Sequence, residues 1–164
     1  MKRLLVFLLC ASAVFLSCKD NQIGSALTSA EISMNDNPES SLEILESIDR
    51  DLLSTRKQKA KFALLYSMAL DKNYIDIKTD SIIAPAVIYY ENHGAKEERF
   101  LCNYYHARIY ENCGDKENAL LCAIKAESVD TSKVSSQSKY LLYALKGRIY
   151  QQEWRFHESI EAYI

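Results

Sequence analysis

The sequence predicts an all-α chain, with about four helical hairpins stacked as a solenoid behind a signal peptide. Composition is the first observation. Glycine and proline number only four and two in 164 residues, while Leu, Ala, Tyr, Ile, Glu and Lys dominate, which favours helices joined by short turns. The second is that no segment sustains the period-2 alternation of β-branched residues expected of strands. The third is an internal repeat: Ala107-Arg108-Ile109-Tyr110 recurs as Gly147-Arg148-Ile149-Tyr150. Periodicity on this scale decides an architecture before any motif does.

The first residues differ from the rest. Lys2 and Arg3 form a basic start, and Leu4 to Leu16 is an apolar run. That run is about 13 residues against the roughly 20 a spanning helix needs, so it reads as a signal-peptide core. It closes on Phe15-Leu16-Ser17-Cys18, which resembles the lipobox of bacterial lipoproteins, with Phe15 where Leu is usual. Cys10 lies inside the run, whereas Cys18 is followed by Lys19-Asp20-Asn21-Gln22, so Cys18 is the expected lipidation site. An ordinary cleaved signal peptide or an uncleaved anchor are the alternatives. Several acyl chains would hold the protein on a bilayer far more firmly than one. Lys19 after the cysteine, rather than the Asp linked to inner-membrane retention, favours the outer membrane; periplasmic and surface faces stay open. The expected organisation is a signal peptide over 1–17, a lipidated tether over 18–23 and a repeat domain over 24–164.

Cleavage after residue 17 leaves 18 Lys+Arg against 22 Asp+Glu, a net charge of −4. The basic residues are interspersed with acids, so a nucleic-acid surface is not expected. No later segment is apolar and long enough to span a membrane. Cys102, Cys113 and Cys122 lack CxxC spacing and paired histidines, which argues against zinc. Cys102 and Cys113 would share a helix with roughly 16 Å of rise between them, too far to bridge. They read as buried small hydrophobes.

Along the mature chain, Ala26, Leu27, Ala30 and Met34 have helical spacing, and Asn35-Asp36-Asn37-Pro38 breaks that helix. Pro38 suits the first turn of the next, where Leu42, Leu45 and Ile48 share a face. A long helix runs from Thr55 to Lys72 with Ala60, Ala63, Leu64, Ser67 and Leu70 as its stripe. A loop over 73–79 follows. Asp80 and Ser81 are expected as N-caps of a helix reaching His93, with Gly94 at its C′ position. Pro85 either sits near that helix's first turn or kinks it. Two further hairpins complete the chain, giving pairs at 24–50, 55–94, 98–128 and 138–164.

The repeat extends beyond its four-residue centre: Phe100 and Leu101 map onto Tyr140 and Leu141, and Ala119, Leu120 and Ala123 onto Ser159, Ile160 and Tyr163. Small residues at Ala107, Ala119 and Gly147 let two helix backbones approach, while Tyr110 and Tyr150 fill the space beside them. No hairpin buries enough alone, so neighbours must stack. With Ala107 and Tyr110, Gly114-Asp115, then Ala119 and Ala126, this pattern resembles the tetratricopeptide repeat, a helix-turn-helix of about 34 residues. Its departures are His106 for a usual Leu, Asn103 for a usual Trp, Trp154-Arg155 for the Gly-Asp turn, and a period of 40. The Ser-Cys-Lys-Asp-Asn start, the segment 38–48 and Lys72-Asn73-Tyr74-Ile75-Asp76-Ile77 together resemble the tetratricopeptide lipoproteins of the Bacteroidota. The resemblance implies a right-handed solenoid in the cell envelope. The last helix stops at Ile164 before its second small position, so a truncated product or a fragment of a longer protein is expected.

Motifs of catalysis are absent: no GxSxG, P-loop, HExxH or dinucleotide fingerprint occurs. His93, His106 and His157 are isolated, and His106 reads as a half-buried core histidine. No enzyme activity, cofactor or metal is expected. In the family, the first helix of each hairpin lines a concave face that binds extended peptides or partner helices. The resemblance therefore points to Leu101, Tyr104, Arg108 and Asn112, then Leu141, Ala144, Arg148 and Gln152, as a groove. Adjacent first helices about 10 Å apart would make Arg108 and Arg148 a two-step basic ladder suited to carboxylates. The alternative is that both arginines pair with acids such as Glu111 or face water. The expected function is a membrane-tethered scaffold binding a protein or peptide; a glycan-binding lipoprotein of a nutrient-uptake system, or a non-functional fragment, are the alternatives. Asp80-Ser81-Ile82 also fits an O-glycosylation pattern, against the simpler capping role.

Overall fold

In the computed structural model the chain is helical from residue 21, the first residue described. The described residues are 21–130, 132 and 134–163; the leader and Cys18 lie outside them. Helix α1 covers 21–33, and Ile23, Leu27, Ala30 and Met34 form its buried stripe at i, i+4, i+7 and i+11. It thus starts ahead of Ala26. Helix α2 (Pro38–Glu46) has Pro38 in its first turn, and Asn37 accepts a hydrogen bond from the Ser40 amide at 3.1 Å. A 3₁₀ turn, Arg50–Leu52, leads to α3 (Arg56–Lys72). There Thr55 and Gln58 satisfy each other's amides in a capping box, which removes two of the unpaired donors every helix start carries.

The next helix corrects the sequence expectation. Helix α4 runs Ala84–His93, and Ile83, not Asp80 or Ser81, sits at its N-cap without a side-chain bond. Residues 80–83 form a turn, closed by the Ala84 amide on the Asp80 carbonyl at 2.9 Å. Ser81 pairs with Thr79 instead. Burial of Ile83 draws the chain inward here, and Pro85 falls in the first turn without kinking the helix. Gly94 closes α4 with extended backbone (φ −88°, ψ 151°) rather than a left-handed C′. Helices α5 (Lys96–Asn112), α6 (Lys116–Glu127), α7 (Ser136–Gln152) and α8 (Phe156–Tyr163) complete the order. Asp115 and Ser135 cap α6 and α7 through the amides of Asn118 and Ser138. No strand occurs among the described residues.

From α2 onward, each helix packs on its successor, and α3 also meets α5 as α5 meets α7. Small buried residues make these approaches possible: Ala30, Ser67, Ala107 and then Gly147 in the odd-numbered helices, and Ser41, Ala86, Ala119 and Ser159 in the even-numbered ones. Two pairs lock by hydrogen bonds, Ser41 Oγ to the Ala30 carbonyl at 2.9 Å and Ser159 Oγ to the Gly147 carbonyl at 3.0 Å. A Cβ on Gly147 would come within 2.4 Å of the Tyr163 ring. One apolar cluster joins α1, α2 and α3 around Leu27, Met34 and Leu65. A larger one runs from Ala60 through Phe100 to Ile149. Leu42, Tyr66 and Met68 pack against both, so the core is continuous. Each wholly buried Phe100, Leu142 or Leu145 contributes about 1.5–3 kcal/mol.

The turns after α3, α5 and α7 share one backbone feature. Gly114 takes φ 76°, while Tyr74 (59°) and Trp154 (60°) hold the same left-handed conformation forty residues to either side. Glycine adopts it freely; an L side chain does so at a cost of about 1–2 kcal/mol.

Candidate functional site: a groove across the odd-numbered helices

The repeat explains a chain of charges that ties α3, α5 and α7 together. Asp71 and Glu111 occupy equivalent positions near the ends of α3 and α5, and Arg108 and Arg148 occupy equivalent positions in α5 and α7. Each arginine reaches back to the acid 37 residues earlier, from α5 to α3 and from α7 to α5. Arg108 Nε donates to Asp71 Oδ1 at 3.0 Å, and Arg148 donates to both Glu111 oxygens, through Nε at 3.1 Å and Nη2 at 3.2 Å. Arg108 also pairs with Glu111 within its own helix. The result alternates in sign: Asp71, Arg108, Glu111, Arg148. Burial disfavours the Arg108 cation, yet Asp71 and Glu111 outweigh this and raise its pKa. Glu111 is the node, with its side chain only 9% exposed.

This arrangement decides between the two expectations for the arginines. Arg108 and Arg148 are committed to intrachain acids, not presented as free forks. Their role is to staple neighbouring first helices, and two fork-shaped cations held by carboxylates suit that role well.

Beside the ladder lie two adjoining hollows. One, of about 330 Å³, is lined by α1, α3 and the start of α5, including Glu31, Leu64, Met68 and Leu101. The other, of about 230 Å³, extends through Lys72, Glu97, Tyr104 and Tyr105 to Ser138 and Leu141 of α7. They share Asn35, Met68, Glu97 and Leu101, so together they cross four odd-numbered helices. Leu101, Tyr104 and Leu141 line the second hollow together. Tyr104 is buried, and burial, with Asp71 adding to it, pushes its phenol up to about 12. It is a wall of the groove rather than a projecting contact. Asn112 is half-buried outside both hollows, Ala144 lines a separate hollow against α8, and Gln152 is exposed with its carbonyl accepting from Lys116 Nζ at 3.2 Å. Sequence reasoning named Glu111 as a partner for the arginines but missed Met68, Lys72, Glu97 and Asp71. The last had a usable signal: an acid 37 residues before Arg108, as Glu111 is before Arg148.

The lining offers apolar contact and hydrogen bonding, with Glu31, Glu97 and Glu98 as its acids and Lys72 as its cation. It holds no nucleophile–base pair. Cys102 lies behind it, where burial, with Glu98 adding to it, pushes the thiol up to about 12, and a protonated thiol is a poor nucleophile. Cys122 is also buried, whereas Cys113 is exposed, contrary to the sequence expectation. His106 stacks on Tyr110 with ring centroids 4.7 Å apart, and its Nε2 is buried without a hydrogen-bond partner. Burial lowers its pKa. Among the described residues no cluster of three or more His, Cys, Asp or Glu could hold a metal ion, and no helix is long and apolar enough to cross a membrane.

No family model, characterised protein or solved structure matches the chain. The hollow and the ion ladder therefore carry the functional argument on their own.

Proposed function

We propose that this protein is a scaffold of tetratricopeptide-like helical hairpins, stacked as a right-handed solenoid, that binds an extended peptide segment of a partner protein. It would be tethered by lipid on Cys18 at the outer membrane of the cell envelope. The observation that supports this best is the continuity of the two hollows across α1, α3, α5 and α7. A row of parallel helices with half-buried Met68, Leu101 and Leu141 at its floor suits a chain laid across it, each apolar residue finding a separate site. Because Arg108 and Arg148 are already paired, a partner rich in carboxylates is not favoured; a segment with spaced apolar residues and mixed charge fits Lys72 and Glu97 better. The test is a photo-crosslinking residue at Leu101 or Leu141 in cells, compared with the same residue at exposed Leu121 on α6.

A second reading, a glycan-binding lipoprotein, is favoured by one observation. Tyr74 and Trp154 are 94% and 80% exposed and held in a costly backbone conformation, and such strain persists at functional sites. Trp154 is the single tryptophan, so glycan titration followed by its fluorescence separates the readings: an unchanged signal counts against sugar stacking there.

A further inference from the structure

The distal face of the last hairpin is apolar and uncovered. Tyr140 is 70% exposed, Ile160 59% and Tyr163 54%, with Tyr143 and Phe156 beside them. These are not scattered residues. Counting back forty positions, Tyr140, Ile160 and Tyr163 correspond to Phe100, Leu120 and Ala123, which are buried or half-buried in the larger core. The same surface of the molecule is thus covered in one hairpin and bare in the next. Between α7 and α8 it forms a hollow of about 580 Å³ lined by Lys139, Tyr140, Tyr143, Ala144, Glu161 and Tyr163.

We infer that this face is a twofold interface between two copies of the chain. The charges on its rim argue for a second copy. Lys139 sits on the α7 side of the hollow and Glu161 on the α8 side. Lys139 makes no ion pair among the described residues, and Glu161 meets only His157, at 3.2 Å. A twofold axis lying in the plane of the face, midway between Lys139 and Glu161, turns a second copy over onto the first. It therefore sets Lys139 of each copy opposite Glu161 of its mate, the reciprocal pairing an isologous contact requires. Area agrees. At about 200 Å² for a whole aromatic side chain, the exposed parts of the five apolar residues come to roughly 500–600 Å². With the polar rim this approaches the about 800 Å² per partner of a standard interface.

The test is sedimentation equilibrium of the full chain. The wild type should dimerise with a dissociation constant on the order of micromolar. Lys139→Glu leaves two acids on the rim and Glu161→Lys two bases, so each variant alone should dimerise at least about tenfold more weakly. An equimolar mixture of the two should form a heterodimer of near wild-type affinity, because every contact then pairs opposite signs. The double variant should behave like the wild type. Tyr140→Asp, at an exposed position, should abolish association without loss of helicity. A wild type that remains monomeric at about 100 μM, or association indifferent to both charge reversals, would overturn the inference; in the second case another surface, or the apolar leader, drives the contact.

Discussion

Replacing Glu111 with Gln tests whether the ion ladder holds the groove together. The substitution keeps the shape and one acceptor oxygen but removes the charge between two guanidinium groups. Breaking a buried ion pair on one side costs about 3–5 kcal/mol. Arg148 is 41% exposed and can recover water, and Arg108 retains Asp71 at 2.9 Å, so the figure must be discounted for screening. About 2 kcal/mol remains, which lowers Tm by about 6 °C in a chain of this size. Thermal unfolding by circular dichroism measures it, and a double-mutant cycle with Arg148→Gln isolates the bond between hairpins. The expected coupling is about 1 kcal/mol. A loss under about 0.5 kcal/mol, with no coupling, would refute the argument and make the ladder a solvated surface feature.

Two further outcomes concern strain and charge. Trp154→Gly should stabilise the fold by about 0.5–1 kcal/mol: relief of the left-handed backbone exceeds the larger unfolded-state entropy of glycine. Gly114→Ala should destabilise it by a similar amount, and chemical denaturation of both variants checks the opposed signs. For His106, burial lowers the folded-state pKa below the ordinary value of 6.5. The unfolded chain then binds more protons at mildly acid pH, so stability present above pH 6.5 is lost as pH falls towards the folded pKa. His106→Leu should flatten that part of the stability–pH curve, and an unaltered curve would place the acid sensitivity elsewhere.

The all-helical class and the bounds of α3 were legible because their signals are local: a stripe at helical spacing, and Thr55 before a long apolar face. Pro38 in a first turn was legible too, while the starts of α1 and α4 were misplaced by several residues. The pairing of Ala107 with Ala119 and Gly147 with Ser159 was legible because the repeat displays it twice. What escaped was set by tertiary context. Asp80 and Ser81 are good caps by type, yet burial of Ile83 moves the helix start past them. Gly94 reads as a left-handed terminator, but its backbone is extended, and a Cβ there would meet the Tyr90 ring at 2.8 Å. Tyr74 and Trp154 stand in the backbone position of Gly114, which no propensity suggests. In the groove, the sequence pointed to Leu101, Tyr104 and Leu141, and left Arg108 and Arg148 open between a basic ladder for a partner and pairing with acids such as Glu111. Their acids are 37 residues away, and only the packing of α5 on α3 and of α7 on α5 makes that separation short.

A partner's peptide segment is proposed to lie in the hollows across α1, α3, α5 and α7. Photo-crosslinking tests it most directly. With the crosslinker at Leu101 or Leu141 in the intact envelope, one discrete adduct is expected, lost when Met68 is changed to Glu, and no such adduct from Leu121. No adduct from either groove position, or the same adducts from Leu121, would contradict it.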